Sequence, residues 1–319
     1  MPEAVEAVRI GISSCLIGEP VRFDGGHKHD AFLVETFGAF VEWVPVCPEV
    51  ELGLGTPRES LRLGRKGEDV RMVNARSGRD ISDAMRAWAQ TRVEALAAEQ
   101  LAGYVLKKDS PSCGMERVKV YAESGMADKG GRGLFAEALL SRFPRLPVEE
   151  EGRLSDPRLR DNFIERVFAY VRLRALFAAR WTIGDLVRFH TSHKMALLAH
   201  STALYNEMGR LVAGASSLAR TDIEGRYRGL FMDALGKMAT ARRHTNVLLH
   251  MAGHFKNLLD GDDRGELLSS IEDYRRGLVP LIVPITLIKH HVRVHHVEYL
   301  AGQIYLDPHP KELMLRNHV

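Results

Sequence analysis

This chain of 319 residues is poor in cysteine, with only Cys15, Cys47 and Cys113. Three thiols cannot all pair, so a disulfide framework is excluded. In a reducing compartment they act either as buried apolar groups or as ligands. No apolar run approaches the roughly 20 residues that span a bilayer, which argues against a helical membrane protein. A charged-then-apolar N-terminal stretch of the secretory kind is also missing, so the expected location is the cytoplasm, with no membrane partner. The overall charge is small, 44 Lys and Arg against 41 Asp and Glu. What is there is an ordinary globular composition, 45% hydrophobic and 27% charged, on a chain long enough for two domains.

The charge is unevenly distributed. Residues 1–150 carry 20 Lys and Arg against 23 Asp and Glu, whereas residues 151–319 carry 24 against 18 and 12 of the 14 histidines. A basic, His-rich second part points to a polyanion partner, against the plainer reading of surface variation.

The first part alternates between strand-like and helix-like stretches. Residues 7–14, 40–46 and 103–110 are rich in β-formers, and each run leads towards one of the three cysteines. Between and after them, residues 29–40, 82–100 and 133–143 read as helices, the second opened by Ser82 as N-cap. Such alternation predicts an α/β domain with a parallel sheet flanked by helices. Residues at the C-terminal ends of parallel strands share one edge, where ligands gather. Cys15, Cys47 and Cys113 are therefore expected to converge, and each is embedded in turn chemistry rather than in a strand interior. Three converging thiols suit zinc, with His27 or His29 as a fourth ligand, or an iron–sulfur cluster with one iron left open. Glu49 and Ser110 lie two and three residues from a cysteine, near enough to move a proton or orient a ring. Taken singly, Glu49 is better read as a helix- or turn-capping acid and Ser110 as a turn residue before Pro111.

A Pro-rich, acidic stretch at 143–161 reads as a linker, and the domains are expected at 1–148 and 149–319. Beyond it the apolar period is helical, predicting an all-α domain, with Pro280 and Pro284 expected to kink or break the last long stretch. His250 and His254, like His291 and His295, have the i, i+4 spacing of a metal pair. They lack an acidic partner, so a basic face is the better reading. Lys194, Arg242, Arg243, His244 and Lys256 are its candidate phosphate contacts.

Four stretches, residues 11–28, 44–60, 104–114 and 131–140, together resemble the thiouracil desulfidase (desulfurase) family, in order and with all three cysteines placed. The resemblance implies a 4Fe–4S cluster held by Cys15, Cys47 and Cys113. Its unique iron would bind the sulfur of a thio-pyrimidine, which water replaces without net redox change. It places the family's catalytic glutamate on Glu49 and its serine on Ser110. The second part is similar to the helical domain often fused after this desulfidase. The fused arrangement resembles the tRNA 4-thiouridine desulfidases, which implies tRNA carrying 4-thiouridine as partner and substrate. Two other readings stand beside it: a desulfidase of free thiouracil with a dimerisation domain, and a non-catalytic zinc-binding module.

Overall fold

The computed structural model describes residues 7–178 and 180–319, and the chain divides into two compact units, Met1–Ser155 and Asp156–Val319. The strands of the first unit are β1 (Arg9–Ser13), β2 (Glu42–Val46), β3 (Leu61–Lys66), β4 (Asp69–Asn74), β5 (Gly103–Leu106), β6 (Val118–Tyr121), β7 (Ala127–Gly131) and β8 (Val148–Glu150). Its helices are α1 (Pro48–Glu51), α2 (Ser82–Ala98) and α3 (Leu134–Arg142).

The expected parallel sheet is present, in the order β2-β1-β5-β8, with every pair parallel. From β1 the chain crosses to β2 on one side and then to β5 on the other. The strand order therefore reverses between β1 and β5, which places a crevice at their C-terminal ends. A second sheet, β4-β3-β6-β7, escapes the sequence reading. Its β3–β4 hairpin turns at Gly67, whose φ of 62° is left-handed, and buries Leu63 and Met72 at alternate positions.

Other details depart from expectation. Residues 29–40 do not form an α-helix; a π-turn at Phe32–Thr36 passes into a 3-10 turn at Phe37–Phe40. Gly38 permits that tightening, since a Cβ there would come within 3.1 Å of the Leu33 carbonyl oxygen and of the Trp43 indole nitrogen. Ser82 is the first residue of α2, not its cap. The cap is carried from outside by Asp80, whose carboxylate accepts from the Ser82 N–H (2.9 Å) and hydroxyl (2.6 Å). The stretch expected as a linker contains β8 and the start of the next helix.

The second unit is helical, as its periodicity predicts: α4 (Pro157–Ala178), α5 (Ile183–Ser192), α6 (Lys194–His200), α7 (Thr202–Ala213), α8 (Arg220–Leu235), α9 (Ala241–Ala252), α10 (Gly261–Arg275), α11 (Ile282–Val294) and α12 (Glu298–Ala301). Pro280 precedes α11 and Pro284 sits in its first turn, where no intrahelical N–H is needed, so the prolines set a helix start and cause no kink. No helix among the described residues is long and apolar enough to cross a membrane.

The parallel sheet depends on a close approach. Gly11 of β1 pairs with Tyr104 of β5, and a Cβ at Gly11 would lie 2.2 Å from the fully buried Tyr104 ring. Gly11→Ala is expected to destabilise the protein by about 1–3 kcal/mol, the usual cost of overpacking. Urea unfolding measures it, and an unchanged midpoint would show that the ring has room to move.

Candidate functional site

The loops that follow β1, β2 and β5 enclose a cavity of about 360 Å³, whose lining includes Cys15, Cys47, Cys113, Glu49 and Ser110. Cys15 is buried in the 3-10 turn Ser14–Ile17, which leaves through the left-handed Gly18. Cys47 is half-buried immediately before α1, with Pro48 opening that helix. Cys113 is buried further along, in the loop between β5 and β6 rather than at a strand end.

The Cys113 loop is held from two directions. The Ser110 hydroxyl oxygen accepts from the N–H groups of Ser112 (3.2 Å) and Cys113 (3.1 Å). The first N–H groups of α3, which lack partners inside their own helix, donate to the loop carbonyls: Leu134 to Pro111 (3.1 Å), Phe135 to Ser112 (3.0 Å). Gly133 makes this seat possible, because a Cβ there would meet the Ser112 carbonyl oxygen at 2.4 Å.

Charge is arranged around the thiols. Arg58, absent from the sequence reading, donates to Glu49 Oε2 through Nε (2.8 Å) and Nη2 (2.5 Å). Ser112, also missed, donates its hydroxyl to Glu49 Oε1 at 2.8 Å. Both residues lie inside the motif stretches 44–60 and 104–114, so the motifs held a signal that residue type alone did not give. Lys107 lines the cavity and is ion-paired with Glu151. Burial pushes the Cys15 thiol up to about 11, against the opposing pull of the Lys107 ammonium. It also raises Cys47, and it raises Cys113 well above the ordinary thiol range despite a hydrogen bond with Ser13.

These thiols stay protonated until a strongly cationic partner draws off their protons, as a coordinating metal centre does. Three thiols lining one cavity are nonetheless the donor chemistry of a thiolate-ligated metal group. Among the described residues, no three His, Cys, Asp or Glu side chains gather closely enough to hold one metal ion. A single zinc needs all its donors at about 2.0–2.3 Å from one centre, whereas a cluster takes its thiolates on separate irons and spreads them apart. The expected zinc partners His27 and His29 are exposed and outside the cavity lining.

In the second unit the candidate phosphate contacts divide. Arg242 and Lys256 are exposed, and Lys194 is half-buried. Arg243 is half-buried, with its guanidinium on the carbonyls of His200 (3.0 Å) and Met238 (3.3 Å). His244 does not belong to a basic face: it is buried, 3% exposed, and its Nδ1 lies 2.8 Å from the Tyr305 hydroxyl. Adjacent residues on a helix point about 100° apart, which separates Arg242 from His244. The His250–His254 pair stays together, ring centroids 5.7 Å apart, and His254 stacks on Tyr299 at 5.1 Å.

Comparison with known proteins finds two families along the chain. Residues 10–151 match the 2-thiouracil desulfurase family, and residues 194–310 match a family described as a protein of unknown function, DUF1722. The chain is 34% identical over 161 residues to the uncharacterised protein YbgA of Escherichia coli strain K12, covering 50% of this chain and 95% of YbgA. It is 32% identical over 109 residues to the uncharacterised protein YbbK of Bacillus subtilis strain 168, covering 32% of this chain and 71% of YbbK. Among solved structures, a [4Fe-4S]-dependent thiouracil desulfidase, TudS, is 32% identical, covering 46% of this chain and 93% of that one, with a TM-score of 0.38. The chain belongs to the 2-thiouracil desulfurase family. It carries a DUF1722 region after that domain.

The buried imidazole of His244 has a measurable consequence. Burial, with the charges of Arg316 and His200, pushes its pKa from the ordinary 6.5 down to about 3. Below pH 6.5 the unfolded chain binds a proton that the folded chain refuses. Its contribution is thus fully present above pH 6.5 and falls as pH drops towards 3, by up to about 1.4 kcal/mol per pH unit. His244→Gln should flatten the decline of stability between pH 6.5 and 5 by that amount. Denaturant titrations across this range provide the check, and an unaltered slope would mean that His244 charges freely in the folded state.

Proposed function

We propose that this chain hydrolyses the carbon–sulfur bond of 4-thiouridine in tRNA, giving uridine and sulfide in an iron–sulfur-dependent reaction without net redox change. The observation that carries this reading is one cavity lined by Cys15, Cys47, Cys113, Glu49 and Ser110 in a member of the desulfurase family. The three cysteines would hold a 4Fe–4S cluster, which when bound supplies one iron free of protein ligands as a Lewis acid for the thiocarbonyl.

The chain's own residues do the rest. Glu49 accepts a proton from the attacking water. The Ser110 oxygen is engaged by two backbone N–H groups, which leaves its hydrogen to donate to a ring atom. A C–O bond forms and the C–S bond breaks. Of the two water protons, one leaves with sulfur as hydrosulfide and the other passes through Glu49 to solvent, and no electron is transferred. The helical unit grips RNA through phosphates, with Arg242 and Lys256 as its exposed cations and Lys194 beside them in role. A base stacked in folded RNA has to be turned out before its ring carbon can react.

Anaerobic purification with iron and sulfide analysis, and absorbance at about 400 nm, tests the cofactor. Replacing Cys15, Cys47 or Cys113 by Ala should remove cluster and turnover together; a variant with full iron and full turnover takes that residue out of the ligand set. Glu49→Gln should retain iron and lose at least about 10²-fold in turnover, with Ser110→Ala lowered less. Wild-type rates in Glu49→Gln would mean the water is activated without it.

The RNA reading has its own test. The Arg242→Glu, Lys256→Glu double variant should bind tRNA more weakly. The slope of log affinity against log salt should fall by about one for each phosphate no longer neutralised. Activity on free 4-thiouridine should hold. Unchanged tRNA affinity across salt would leave these cations without the role.

A further inference from the structure

We propose that Arg58 and Ser112 are positioning residues that fix the Glu49 carboxylate and leave a single acceptor site, on Oε1, for the proton of the attacking water. This rests on the reading of Glu49 as the proton acceptor. A carboxylate has about four lone-pair sites, two on each oxygen. Arg58 occupies both on Oε2, and the Ser112 hydroxyl takes one on Oε1. One site remains, on the oxygen that Ser112 orients.

The clamp is rigid because each of its members is itself held. The Arg58 side chain is 6% exposed. Beyond Glu49 it donates to the carbonyls of Val21 (2.9 Å, from Nη2) and Gly55 (2.9 Å, from Nη1) and reaches the Thr56 hydroxyl at 3.3 Å. The Val21 carbonyl also receives the Cys47 thiol at 3.8 Å. Ser112 is fully buried, and its backbone N–H is pinned by Ser110. Three loops, those carrying Val21, Glu49 and Ser112, are therefore joined at one carboxylate. Lysine cannot replace this guanidinium, because a single ammonium lacks the planar fork that spans Oε2 and two carbonyls together.

Arg58 could instead be only a staple for the loops, and the experiment separates the two roles. Full-length protein, reconstituted anaerobically, is assayed on free 4-thiouridine as wild type, Glu49→Gln, Arg58→Ala, Arg58→Lys and Ser112→Ala, each with iron content measured. Positioning predicts kcat lowered about 10- to 100-fold in Arg58→Ala and Ser112→Ala, with KM within about threefold of wild type. Arg58→Lys should recover only a small part of the loss. Guanidinium ion should partly restore Arg58→Ala but neither Ser112→Ala nor Glu49→Gln, while sodium chloride at equal ionic strength restores none of them. A double-mutant cycle read as unfolding midpoints of the cluster-free protein should show Glu49→Gln and Arg58→Ala to be non-additive.

Full kcat in both Arg58 variants, or a change in KM alone, overturns the proposal. If Arg58→Ala loses its iron, Arg58→Lys and the cluster-free cycle decide, and additivity there overturns it. Full turnover in Glu49→Gln instead sinks the reading of Glu49 itself, an outcome distinct from a slow Glu49→Gln beside fast Arg58 and Ser112 variants.

Discussion

The first unit is organised by the desolvation of three thiols. Free cysteines packed in a core behave as small hydrophobes and ask little of the backbone. Here they sit in irregular loops at one edge of a parallel sheet, so every loop needs outside partners for its backbone groups. The Cys113 loop receives the spare donors of α3 and the Ser110 hydroxyl oxygen. The Cys15 turn uses its own carbonyl to accept from the Lys28 N–H at 2.8 Å. Gly11 and Gly133 supply the two close approaches that bring β1 to β5 and α3 to the loop. These features concern a few ångströms around the cavity, which is where the strand order reverses.

A small set of charges in the second unit does not reach its surface. Glu165, 3% exposed, faces the His200 imidazole at 3.5 Å and the Arg316 guanidinium at 3.8 Å, and Asp161 meets His309 at 3.0 Å. The Glu165 charge raises His200, against a burial that pulls it the other way. Arg172 is so buried that its pKa falls to about 10. Burying such groups costs several kcal/mol per ion unless they are paired and hydrogen-bonded, and removal of one partner is correspondingly severe. The number of Lys and Arg after residue 150 therefore overstates the cations at the surface, although the buried Asp161 and Glu165 leave their excess over acids unchanged. Arg316 and Arg172 are held inside and Arg243 is engaged by carbonyls, which leaves Arg242 and Lys256 as the exposed members of the candidate phosphate contacts.

The sequence made β1, β2 and β5 legible because each is a β-rich run ending in turn formers beside a cysteine. It hid β8 because Val148–Glu150 looks acidic, and acidic runs usually mark solvated loops. Both carboxylates are buried and satisfied locally: Glu149 accepts from Arg153 at 2.7 Å, and Glu150 from the Met115 N–H at 2.7 Å. No pattern of residue types announces a three-residue edge strand whose side chains are satisfied by partners 4 and 35 residues away. The second sheet was missed for another reason. Its β3 pairs in parallel with β6, more than 50 residues later in the chain, so only the β3–β4 and β6–β7 hairpins leave a local signal, and their joining into one sheet leaves none.

Within the site, nearness in sequence located the residues and left their roles open. Ser110, three before Cys113, and Glu49, two after Cys47, both line the cavity. Yet the hydroxyl bonded to Glu49 belongs to Ser112, adjacent to Cys113, while Ser110 turns its oxygen to the backbone. In a tight loop, neighbouring side chains point in different directions, so one serine can face the reacting ring and the next can brace the carboxylate from behind. The two functions are then coupled through one peptide segment: the Ser110 oxygen fixes the Ser112 N–H, and Ser112 fixes Glu49. On the proposed reading, a change at Ser110 acts on Glu49 as well as on the substrate ring, and its effect on turnover combines a direct part with a positional one.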